Sequence, residues 1–150
     1  MRRYITAICV VGLIGAGAAA TALAARPLPN RGYSGNGVDS WNRGGGWVRH
    51  GTGSFQFTTS KKYYYRNKPY WYLTNFTGSY TTPCNGGTLH VHAFSVVIHA
   101  NGTFSHTFHK RNATFTLWGS FTSRHVAKVN YLVRFSSSCQ SRVQGKAFAG

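Results

Sequence analysis

The chain has 150 residues, enough for one domain and short for two. It carries 17 Lys and Arg against a single acid, Asp39, for a formal charge of +16. One carboxylate excludes two-carboxylate glycosidase and aspartic-protease chemistry, and with them a carboxylate cage for Ca²⁺ or Mg²⁺.

Residues 1–25 read as a secretory signal peptide. Arg2 and Arg3 precede an uncharged apolar run from Ile5 to Ala20, and Ala22-Leu23-Ala24 supplies a small-x-small cleavage pattern. The expectation is therefore a secreted, extracellular protein cleaved after Ala24 or Ala25. Arg2, Arg3 and Cys9 leave with the leader, so 15 basic residues face Asp39, a net +14. Cys84 and Cys139 are then the only cysteines left, and an oxidising compartment pairs them. In the chain-entropy view, closing a loop of this size stabilises the fold by about 4 kcal/mol.

Residues 26–50 read as a flexible Gly/Pro-rich arm. Pro27, Pro29 and Gly44-Gly45-Gly46 lie among few apolar residues, with Trp41 and Trp47 as docking points. Residues 51–150 carry strand-like alternation punctuated by turns every eight to twelve residues, and no helical period is sustained. The fold class is all-β: one antiparallel meander forming a small sandwich or an up-and-down barrel. Asn101-Gly102 marks its clearest hairpin. A three-residue loop, Ala100-Asn101-Gly102, aligns Ile98 with Phe104, Val96 with His106 and Phe94 with Phe108, burying one apolar row with Gly102 left-handed. Further on, Phe115, Leu117, Gly119 and Phe121 alternate with polar residues, as do Val129, Tyr131, Val133 and Phe135. Ser141 to Phe148 reads as the closing strand. The triplets at Asn75, Asn101 and Asn112 read as turn chemistry rather than glycosylation acceptors.

The runs NGTFSHTF and ATFTLWGSFTS, then a Tyr-x-Val-x-Phe strand before Ser-Ser-Cys, are similar to small exported all-β proteins of Gram-positive bacteria. The resemblance covers roughly residues 80–140. It implies fold and export, and it transfers no activity or site residue.

Three constellations bear on function. In residues 61–72, KKYYYRNKPYWY, four cations interleave with six aromatics. Cations track phosphates while flat rings stack on bases or sugars, so Lys61, Lys62, Tyr65, Arg66, Lys68, Tyr70, Trp71 and Tyr72 are candidate polymer-binding residues. The competing reading is an edge strand whose aromatics pack inward and whose lysines discourage aggregation. His90 and His92 share a strand face, as metal ligands can. The register above nevertheless sets His92 against Lys110 and leaves His106 opposite Val96, about 13 Å along the strand from His92. No metal or cofactor is expected. No Gly-x-Ser-x-Gly elbow is present, and Asp39, the one Asp that a Ser-His-Asp triad could use, lies in the arm.

The resulting expectation is a non-enzymatic, monomeric cationic domain. Its partners would be an anionic cell-wall polymer, an acidic polysaccharide or extracellular nucleic acid, with a membrane surface as a further anionic target. The alternatives are a histidine-based secreted hydrolase or nuclease and a barrel holding a small ligand.

Overall fold

The computed structural model describes residues 25–63 and 69–150, which form one antiparallel meander closed into a barrel. Its strands are β1 (Gly32–Asn42), β2 (Trp47–Tyr63), β3 (Pro69–Thr81), β4 (Thr88–Ile98), β5 (Thr103–Lys110), β6 (Ala113–Phe121), β7 (Val126–Ser136) and β8 (Cys139–Ala149). Each pairs with the next, and β8 returns to β1. Of the two architectures open to the sequence, the barrel is the one found. The signal peptide expected over 1–25 lies outside the described residues, apart from Ala25.

The Gly/Pro-rich arm is a correction. Residues 32–42 are β1, paired with β2 on one side and β8 on the other, and β2 already begins at Trp47. The barrel therefore starts before residue 51. Gly35 and Gly37 serve close strand approach rather than a linker: a Cβ on Gly37 would lie 2.5 Å from the Gln144 carbonyl oxygen of β8.

Inward residues fill the axis with rings. Tyr33 stacks on Phe57 at 5.1 Å between centroids, Phe57 on Phe76 at 6.5 Å, and Tyr131 meets Phe76 edge-on at 5.6 Å. Such pairs add about 0.5–1.5 kcal/mol each beyond the area they bury. Gly78 makes room for one of them, since a Cβ there would sit 2.9 Å from Cζ of Tyr131.

The Asn101-Gly102 hairpin has the expected register at its tip. Ile98 pairs with Phe104, Gly102 has φ +74°, and the Asn101 side chain accepts from the Thr103 N–H at 3.1 Å. Below the tip the expectation fails. Phe94 is 83% exposed and does not join Phe108 inside. The cause lies in β3, where Asn75 is left-handed at φ +52° and the register against β2 shifts between Gln56 and Thr58. The inward face thus passes from Leu73 to Phe76, and β4, held in register by β3, passes from Val96 to Ala93. Phe94 and Ser95 both turn outward. A similar shift between Arg134 and Ser136 takes Phe135 out of the apolar row of β7.

Cys84, in the β3–β4 connection, and Cys139, at the start of β8, form a disulfide with Cα atoms 5.8 Å apart. The non-reduced protein should show no free thiol at these positions by mass spectrometry after alkylation; alkylation of both would contradict the pairing. Gly102→Ala should lower stability by about 1–2 kcal/mol in denaturant titration, because φ is positive and the new Cβ would meet the Ala25 carbonyl oxygen.

Candidate polyanion interface

Asp39 decides the electrostatics of the surface. On β1 its side chain points into the barrel and is fully buried. Its carboxylate accepts hydrogen bonds from the Thr81 N–H at 2.8 Å and the Ser141 hydroxyl at 2.8 Å. The only acid of the chain is thereby withdrawn from the surface, so no carboxylate side chain is available to neutralise the exposed cations.

Those cations gather on the outward rows of β7 and β8. Lys128 stands directly opposite Lys146, an arrangement that repels in an antiparallel ladder. Asn130 and Gln144 form the next outward pair, with Gln144 Nε2 donating to Asn130 Oδ1 at 3.2 Å, and Trp118 of β6 lies beside Asn130. Beyond them come Arg142 and Arg134. The Arg142 guanidinium lies 4.4 Å from the centroid of Trp47, which holds the cation in place through its ring face. The result is a strip of cations, amide groups and indole rings on one outer wall. Sequence alternation places Lys128 and Lys146 on polar faces, but only the β7–β8 register makes them neighbours.

The candidate segment 61–72 is divided by its strand geometry. Lys61 pairs with Trp71, and its Nζ lies 5.7 Å from that ring. Trp71 packs against the core, with its indole N–H buried and without a hydrogen-bond partner among the described residues, so it is a wall of the barrel mouth. Lys62, Tyr70 and Tyr72 occupy the outward side, where Lys62 Nζ lies 5.7 Å from the Tyr72 ring. Tyr65, Arg66 and Lys68 fall outside the described residues.

The histidines are dispersed. His90 and His92 are exposed on β4, opposite Ser79 and Thr77, while the His106 ring lies 4.4 Å from that of Phe108. His50 stacks on Trp41 at 3.4 Å, with the Arg43 guanidinium 5.0 Å from the same indole. Among the described residues no three His, Cys, Asp or Glu side chains come together as a metal site would require.

Neither the family models, the curated proteins nor the solved structures give a match to this chain, and the reading of function rests on the geometry above.

Asp39 also acts on the tyrosines around it. Burial, reinforced by the Asp39 charge, raises the Tyr80 pKa from 10.0 to about 12 and raises that of Tyr131 as well. These hydroxyls hold their protons longer in the fold than in the unfolded chain. The contribution of Tyr80 to stability is full below pH 10.0 and is lost as pH rises towards about 12. Asp39→Asn should lower the Tyr80 midpoint in a tyrosinate absorbance titration while leaving it above 10.0, because burial is the larger cause. Asp39→Ala should cost about 2–5 kcal/mol by leaving the Thr81 and Ser141 donors unpaired, and Asp39→Asn less.

Proposed function

We propose that this protein is a secreted, non-enzymatic cationic barrel that binds an anionic polymer outside the cell. The observation that carries the reading is the burial of Asp39, which leaves an outer surface of cations with no carboxylate side chain to oppose them. Lys128 facing Lys146 is unfavourable in the free protein, and an anionic group held between the two ammonium groups relieves that repulsion. Trp118, Asn130 and Gln144 border the pair with an indole face and amide groups suited to a sugar-containing or nucleotide chain. Outward Lys62, Tyr70 and Tyr72 offer a second contact of the same chemistry. The export and the resemblance to small exported all-β proteins belong to this proposal.

Binding to polyphosphate, dextran sulfate and single-stranded RNA, matched for charge density, tests it across a range of salt. Lys128→Gln with Lys146→Gln should reduce the slope of log affinity against log salt by about 2, more than Arg26→Gln with Arg49→Gln does. Equal effects from the two charge-matched pairs would reduce the interaction to diffuse attraction. Tyr70→Leu with Tyr72→Leu should lower affinity by about 1–3 kcal/mol per engaged ring at every salt concentration, with the slope unchanged. Trp71 is left intact in that variant because it packs against the core.

A further inference from the structure

The barrel is closed unevenly. Between β4 and β5 the ladder consists of the single pair Ile98–Phe104, next to the hairpin tip, whereas every other pair of neighbouring strands is matched over most of the shorter strand. Below that pair the two strands splay. Residues 88–97 of β4 are paired to β3 on one side only, and residues 105–110 of β5 to β6 on one side only. Val91 and Phe108 form the lips of the seam, half-buried against the core, and Phe94 stands almost fully exposed beside it.

Each of these edges presents alternate backbone N–H and C=O groups without a partner strand, the arrangement that recruits an added strand. Two of the devices that normally blunt such an edge are missing from β4, since residues 88–97 contain no Pro and no Lys. Charge selects the occupant. His90, His92 and His109 border the seam, Lys110 and Arg111 stand at its open end, and no carboxylate side chain lies on the surface. A second copy of a chain with a net +14 would be repelled, while an acidic strand would be attracted.

We infer that the β4–β5 seam binds an extended acidic peptide segment of another protein as an added strand. Backbone hydrogen bonds to β4 or β5 supply the affinity, Phe94 gives an apolar anchor, and the flanking cations set the preference for acidic side chains. The site is separate from the β7–β8 strip, and its ligand is recognised through the peptide backbone, which an anionic polysaccharide lacks.

Hydrogen exchange with a synthetic peptide of alternating Val and Glu, as long as the open edge of β4, tests the inference. In the free protein, seam-facing amides of residues 88–97 and 105–110 should exchange at least about tenfold faster than those of β7. The peptide should slow them. The same peptide N-methylated at alternate residues keeps its charge and loses backbone donors on one edge, and it should bind at least about tenfold more weakly. Phe94→Ser, at an exposed position that leaves the core intact, should weaken the unmodified peptide several-fold. Equal binding of the two peptides, slow exchange of the seam in the free protein, or protection confined to other strands would each overturn the inference. Concentration-dependent protection of residues 88–97 with no peptide present would do so too, because it would make a second copy the occupant.

Discussion

Asp39 ties β1 to β3, which strand pairing alone does not connect, and adds a side-chain tie to the paired strand β8. It lies on β1, yet its carboxylate holds the Thr81 N–H at the end of β3, across the intervening β2, and the Ser141 hydroxyl on β8. Two residues on, the Trp41 indole donates to the Thr81 carbonyl at 2.7 Å, so one residue of β3 is gripped through both its backbone polar groups. The Cys84–Cys139 disulfide joins the β3–β4 connection to β8 at the same end. Carboxylate, indole and disulfide together fasten this mouth of the barrel. A buried anion is costly without partners. Here the Thr81 N–H and the Ser141 hydroxyl satisfy it.

The opposite mouth is fastened by neutral contacts. The Tyr33 hydroxyl donates to the Arg124 carbonyl and accepts from the Leu28 N–H, while the Thr59 hydroxyl donates to the Leu28 carbonyl. Residues 25–31 are drawn across this end, with Pro27 buried and Ala25 against Gly102. Of the surface cations, Arg31 takes part in this closure, its guanidinium donating to the Gly150 carbonyl at 3.2 Å. Those of β7 and β8 lie on the outer wall, where their mutual repulsion is tolerated because the disulfide and the aromatic column hold the fold.

Local irregularities in β3 and β4 carry consequences well beyond their size. A left-handed Asn75 rotates the inward face by one residue, and the change passes through the ladder to β4. Had both strands kept a plain two-residue period, Phe94 would face inward beside Phe108 and the β4–β5 ladder could zip along its length. The bulge therefore separates a barrel closed on every side from one with a seam. Exposed Phe94 is the result of that displaced residue.

Much of this molecule was legible in residue order. Alternation indicated strands over residues 51–150, Asn101-Gly102 set the tip of one hairpin at Ile98–Phe104, and Cys84 and Cys139 were the pair expected once Cys9 is assigned to a leader. These features are local, or are settled by counting, and period, turn chemistry and composition carry them. The strand at 32–42 was hidden because its glycines imitate a linker; Gly35 and Gly37 are explained only by the close approach of β8, a partner more than a hundred residues away. The same distance concealed the role of Asp39, whose partners Thr81 and Ser141 meet it only after the barrel has closed. The candidate site divides along that line. Residues 61–72 announced their cations and rings, but strand geometry turned Trp71 towards the core and left Tyr70 and Tyr72 outside. Lys128 and Lys146 gave no signal as a pair, because a cross-strand neighbour is set by register, and register is a property of the closed sheet.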